Sequence, residues 1–174
     1  MKRISIICVL LLSACSTHAQ PVARGIVSSC STIKQSPAAK GIELACLDGK
    51  SNINLDSIKG PLVLNIWGSW CAPCEDEIPL FVDFYAQNKT AIALLGIAVE
   101  EAKPSDATSF IISHAMTWPN LIDTDGRTTG KFGMGVPVTW FIAADGTVAY
   151  KHIGVLKSVK EIQSLTSKYL GITS

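Results

Sequence analysis

The chain has 174 residues, with 15 Lys and Arg against 14 Asp and Glu and a formal net charge of +1. So even a balance gives no argument for nucleic acid or for an acidic partner. Apolar residues make up 48% of it, enough for a sizeable core in one domain, and no repeat or low-complexity tract is visible.

The N-terminus reads as a targeting segment. Lys2 and Arg3 form a basic start, and Ile4 to Leu12 is apolar except for Ser5. That run is too short to span a membrane, which takes about 20 apolar residues. It ends in Leu12-Ser13-Ala14-Cys15, small residues before a cysteine. Residues 1–14 are therefore expected to be a signal peptide, and Leu-Ser-Ala-Cys resembles the lipobox of bacterial lipoproteins, with Cys15 as the lipidated residue. The alternative is an ordinary secretory signal cut after Ala19. Residues 15–29 lack periodicity and read as a tether, with the domain over 30–174.

Ile42 to Leu47 is a short strand candidate closed by the turn pair Asp48-Gly49. Leu62 to Trp67 and Ile92 to Val99 are nearly continuous apolar runs, the pattern of strands buried on both faces. Between them Ile78, Phe81, Val82 and Tyr85 fall on one helical face, with Pro79 expected to interrupt and kink the helix. A second helix is predicted near Ser105 to Ala115, with Ala107, Phe110 and Ile111 inward. Val138 to Ile142 and Val148 to Ile153 flank Asp145-Gly146 as a hairpin. A last helix is predicted over Ser158 to Leu170, with Val159, Ile162 and Leu165 inward and Ser158/Glu161 as a capping box. The order implies an α/β fold, a mixed sheet with helices on both faces.

Trp70-Cys71-Ala72-Pro73-Cys74 sits where an apolar strand hands over to a helix. Two cysteines two residues apart at such a junction form a redox pair. The helix N-terminus favours the thiolate of Cys71, the exposed attacker; Cys74 lies one turn deeper and resolves the mixed disulfide. Of the six cysteines, Cys8 leaves with the signal and Cys15 takes the lipid. Four remain, with three possible pairings. A redox pair must be free to cycle, which leaves Cys30 with Cys46 as a structural disulfide, stabilising by about 3 kcal/mol. A zinc site needs a second close-spaced pair, which Cys30 and Cys46 do not make.

From about Cys46 to the C-terminus the chain resembles the thioredoxin superfamily, and within it the membrane-anchored TlpA/ResA/DsbE-type thiol–disulfide oxidoreductases. The resemblance rests on Trp-Cys-x-Pro-Cys, on Glu77-Ile78-Pro79 and on Gly135-Val136-Pro137-Val138-Thr139. It rests also on the turns Asp123-Thr124-Asp125-Gly126 and Ala144-Asp145-Gly146. It implies a thioredoxin fold, a cis bond before Pro137 that sets Val136 opposite the cysteines, and Trp70 at the rim of the site. It implies that Glu77 handles the proton of Cys74, against the plainer reading of an exposed first-turn glutamate, as expected for Glu75 and Asp76. It implies no cofactor and no metal. The implied partners are proteins carrying thiols or disulfides and a membrane redox protein. A role as reductant, as in cytochrome c maturation, is compatible with Ala72-Pro73. The chain departs from cytoplasmic thioredoxins at Asn65, where they carry a buried aspartate. An amide is no proton acceptor at neutral pH, so Asn65 is expected to hydrogen-bond within the strand. Trp67 is expected in the core, and His114 and His152 as structural or surface residues.

Two other functions compete. A thiol peroxidase has Thr-x-x-Cys, and here the residue three before Cys71 is Gly68. A metal-binding module of related fold, such as a copper carrier, has a wider cysteine spacing and a later histidine ligand.

Overall fold

The computed structural model describes residues 23–37, 40–133 and 135–173; the expected signal peptide and Cys15 lie outside the described residues. The strands are β1 (Glu43–Cys46), β2 (Asn52–Asn54), β3 (Leu62–Trp67), β4 (Ala93–Val99), β5 (Asn120–Asp123), β6 (Val138–Ile142) and β7 (Val148–Ile153). The α-helices are α1 (Ala72–Asn88), α2 (Pro104–Ser113) and α3 (Val159–Leu170), with 3-10 turns at Cys30–Thr32 and Leu55–Ser57. One sheet runs β2-β1-β5-β4-β3-β6-β7. β3, β4 and β5 are parallel neighbours, and the other pairings are antiparallel.

β3 lies at the heart of this mixed sheet, and all six of its residues are buried. Its side chains alternate between two cores. Val63 and Trp67 join the apolar faces of α1, α2 and α3; Leu62, Leu64 and Ile66 join a second cluster closed by Cys30, Ile33, Leu55, Ile58 and Phe132. The α-helices thus pack on one side, where the element order implied helices on both faces; on the other side only the 3-10 turns and the Phe132 loop cover the sheet, because β3, α1, β4, α2 and β5 step across it in one direction.

β2 and β5 escaped the sequence reading. β2 is three residues with only Ile53 inward. β5 begins and ends in buried polar residues, so it never reads as an apolar run. Asn120 instead accepts from the Trp67 indole at 3.1 Å and donates to the Trp118 carbonyl at 2.8 Å. Asp123 accepts from the Arg127 and Thr128 amides, both at 2.9 Å. These bonds satisfy groups that burial would otherwise leave costly.

α1 runs unbroken through Pro79. Its fully buried face is Cys74, Glu77, Ile78, Phe81, Phe84 and Asn88, rotated from the expected stripe, so Val82 and Tyr85 are only half-buried. Polar residues, Glu77 and Asn88, occupy two of those six positions, which apolar periodicity does not register. α3 starts as its sequence implied, the Ser158 hydroxyl accepting from the Glu161 amide at 3.1 Å. The Glu161 carboxylate reaches the Lys157 amide, one residue before the cap, at 2.7 Å. Gly171 closes the helix in the left-handed conformation at φ 68°.

The described part of the expected tether lies along the domain. The Gly25 and Ile26 amides donate to the carbonyls of Ile112 and Met116, both at 2.9 Å, and the Ser28 hydroxyl donates to Thr117. Cys30 and Cys46 then form a disulfide, with Cα atoms 6.1 Å apart, tying this segment to β1.

Candidate active site

The site forms where β3 ends. The chain leaves Trp67, turns through Gly68-Ser69-Trp70 and enters α1 with Cys71 as its N-cap. Cys71 and Cys74 form a disulfide, Cα atoms 5.2 Å apart. The Cys74 amide N–H points at Cys71 Sγ, 3.2 Å away. Free N–H groups and the aligned peptide dipoles of a helix start both favour negative charge on that sulfur when it is reduced. Both cysteines are largely buried, Cys71 the more exposed of the two.

Three hydrogen bonds hold the turn to the end of β4 and the residues just after it. The Ser69 amide and hydroxyl donate to the two carboxylate oxygens of Glu101, at 2.6 and 2.5 Å. The Trp70 indole donates to the Val99 carbonyl at 3.2 Å. A Cβ on Gly68 would lie 2.7 Å from the Trp70 ring, so the ring is seated against the bare backbone there. Trp70 remains 53% exposed beside the pair, whereas Trp67 is fully buried and stacks on Phe110.

On the far side, the Val136–Pro137 peptide bond is cis, and the Val136 carbonyl oxygen lies 3.8 Å from Cys71 Sγ. A groove of about 400 Å³ opens beside Trp70 and Val136, floored by Ile66 and Val99 and walled by Phe132.

Glu77 sits three residues after Cys74 on the same face of α1, with no exposed surface. The expected alternative, an exposed first-turn glutamate, is excluded by that burial. Its carboxylate accepts from the Leu156 amide at 2.8 Å and from the Asn65 side chain at 3.3 Å. Burial pushes the Glu77 pKa from 4.5 up to about 7; the Leu156 and Asn65 bonds oppose this more weakly, while Glu161 raises it and Lys157 lowers it slightly. Asn65 is itself fully buried and reaches Thr139 Oγ1 at 3.5 Å. It hydrogen-bonds within the core as the sequence suggested.

The structure therefore gathers Cys71, Cys74, Glu77, Trp70, Val136 and Pro137 at one end of the sheet. Cys30 and Cys46 belong to the other cluster. His114 stacks on Phe110 and contacts Glu75. Among the described residues no grouping of three or more His, Cys, Asp or Glu could hold a metal ion. Sequence reasoning missed Glu101, Ser69, Thr139 and the Leu156 amide. Glu100 and Glu101 are adjacent and identical in type; one is exposed and the other 5% exposed, a difference set by the tertiary fold.

Known proteins resemble this arrangement. Residues 36–151 match the model of the AhpC/TSA family, a span that starts after Cys30. A thiol-disulfide oxidoreductase ResA of Bacillus cereus is 28% identical over 149 residues, covering 84% of this chain and 85% of that one. A thiol:disulfide interchange protein CycY of Rhizobium leguminosarum is 32% identical over 102 residues, covering 56% and 53%. Among solved structures, a secreted Mycobacterium tuberculosis disulfide oxidoreductase homologous to E. coli DsbE superposes with a TM-score of 0.63 at 26% identity, over 73% of this chain and 95% of that one.

Proposed function

The chain belongs to the AhpC/TSA family and is a thiol–disulfide oxidoreductase, and on that premise we propose that Cys71 and Cys74 are its reacting pair, working as a reductant of protein disulfides outside the cytoplasm. The observation that carries this reading is the Cys71–Cys74 disulfide at the mouth of α1 with a buried carboxylate, Glu77, one turn further on.

The Cys71 thiolate attacks one sulfur of a substrate disulfide. That S–S bond breaks, its leaving sulfur takes up a proton, and a mixed disulfide forms. Cys74 gives its proton to the Glu77 carboxylate and attacks Cys71 Sγ. The second substrate sulfur leaves and is protonated by Glu77. The substrate ends with two thiols, and the enzyme with the Cys71–Cys74 bond. A carboxyl group with a pKa of about 7 is matched to giving and taking a proton at neutral pH. Val136 offers backbone for pairing with an extended substrate segment, and Trp70 offers an exposed aromatic face beside the sulfur.

The reducing direction is what the TlpA/ResA/DsbE-type resemblance implies, through its cytochrome c maturation branch. It expects a reduction potential nearer to thioredoxin's, about −270 mV, than to the strong oxidant end at about −120 mV. The peroxidase reading lacks its threonine at Gly68. Residues 1–14 as a signal and Cys15 as a lipid anchor complete the proposal, with a membrane protein as the source of electrons. No helix among the described residues is long and apolar enough to cross a membrane.

Reduction of insulin by a dithiol tests the pair. Cys71→Ser should abolish it, and Cys74→Ser should accumulate mixed disulfides; normal turnover in Cys74→Ser would overturn the assignment. Fatty-acid labelling tests the anchor. The native chain should take up label and Cys15→Ala should not, and an unlabelled native chain would leave a secreted protein.

A further inference from the structure

Asn65 presents an anomaly beside Glu77. Its Nδ2 faces two oxygens, Glu77 Oε2 at 3.3 Å and Thr139 Oγ1 at 3.5 Å. Its Oδ1 is buried and meets no donor among the described residues. A buried polar atom without a partner is uncommon and costs stability. An apolar residue of the same shape would avoid that cost, so the amide invites a functional explanation.

We propose that the Asn65 amide is a positioning group with two orientations, one for each protonation state of Glu77. When Glu77 is ionised, Nδ2 faces it and donates to Oε2. When Glu77 carries the proton, the amide turns over, and Oδ1 occupies the same place and accepts the Oε2–H bond. Thr139 fits both states, because a hydroxyl accepts from Nδ2 in the first and donates to Oδ1 in the second. An amide oxygen has two lone pairs and an amide nitrogen two hydrogens, so either end serves Glu77 and Thr139 together. In both orientations the opposite end of the amide faces the same unpartnered position, so neither state is held by a competing bond. The aspartate of a cytoplasmic thioredoxin could not play this part without itself taking a proton. Glu77's remaining neighbours do not turn. The Leu156 amide is backbone, while Lys157 and Glu161 act on it only through their charges.

This inference rests on the proposed proton role of Glu77. It is read in the oxidised protein without substrate, so it stands or falls separately from the roles of Cys71 and Cys74. The test is a nuclear magnetic resonance titration of asparagine-labelled, oxidised protein from pH 5 to 9. The Asn65 side-chain amide signals should shift in one transition with the same midpoint as the Glu77 carboxyl carbon. Their cross-relaxation to the Thr139 methyl group should be present above that midpoint and lost below it. Cross-relaxation that persists unchanged on both sides would show a fixed donor and overturn the proposal.

Asn65→Leu gives a second reading, in the midpoint of Glu77. An amide that only donates supports the ionised form alone, so its loss should move the Glu77 midpoint towards higher pH, to a proton concentration lower by a factor of ten or more. An amide that serves both forms leaves the midpoint within about threefold, because both states lose a bond of similar kind. A tenfold shift in Asn65→Leu would therefore also refute the two-way amide.

Discussion

The two disulfides of this chain differ less in burial than in what surrounds their sulfurs. Cys30 and Cys46 are 1% and 2% exposed, and Cys71 and Cys74 are 5% and 1%. Around the first bridge the polar neighbours are carbonyl oxygens, Asn120 O at 3.9 Å from Cys30 Sγ and Ser28 O at 3.9 Å from Cys46 Sγ. A thiolate there would face negative ends of dipoles inside an apolar cluster, which disfavours it. Around the second, the Cys74 N–H points at Cys71 Sγ from a helix start, with one carbonyl, Val136 O, opposite. A thiolate there faces a donor. Access alone does not distinguish the two bridges: the hydrogen-bond donor at Cys71 Sγ and the buried Glu77 carboxylate on the same helix do.

The bridges also close loops of different kinds. Cys71–Cys74 spans three residues within a cap and one helical turn. Cys30–Cys46 spans 16 and fastens the N-terminal segment to β1. The largest effect should come from removing Cys30–Cys46. Cys30→Ala combined with Cys46→Ala should lower stability by about 2–5 kcal/mol in urea denaturation. Insulin reduction per folded molecule should stay near that of the native protein. Mild reductant followed by alkylation and mass spectrometry should label Cys71 and Cys74 and spare Cys30 and Cys46. Equal labelling of all four would erase the distinction drawn between the two bridges.

The contrast between the bridges was partly legible in the sequence. A strand running into Cys-Ala-Pro-Cys pointed to the cysteine pair we propose as reacting and to its place at a helix start, because both depend on neighbours in the chain. The Cys30–Cys46 pairing followed from elimination, and Glu77 from the family resemblance. What the sequence hid were the contacts between distant segments. β5 joins the sheet through buried Asn120 and Asp123, which look like loop residues in a linear reading. Ser69 and Glu101 meet across 32 residues. Thr139 and Leu156 reach the Asn65–Glu77 pair from β6 and from the turn before α3. Polar residues that satisfy one another in the core carry no periodicity, so only the fold reveals them.

The last test asks whether the Glu77 carboxylate, the proposed proton acceptor, is destabilised by its buried surroundings. Glu77 has a pKa of about 7 in the folded protein against 4.5 as its ordinary value. Below about pH 4.5 both folded and unfolded chains hold this proton, and the group makes no difference to stability. Between 4.5 and 7 the folded chain holds a proton that the unfolded chain has released, so stability falls as pH rises. Above 7 the deficit is complete, at most about 3 kcal/mol for a shift of this size. Glu77→Gln removes the charge and keeps an oxygen for the Leu156 amide. The variant should match the native protein in urea denaturation at pH 4.5 and exceed it by up to about 3 kcal/mol at pH 8. It should also resolve mixed disulfides more slowly at both pH values, having no carboxylate to take the Cys74 proton. An advantage in stability that did not grow between pH 4.5 and 8 would mean that Glu77 is not ionised at a cost in the folded state. Glu77 would then be no different from any carboxylate near a buried bridge.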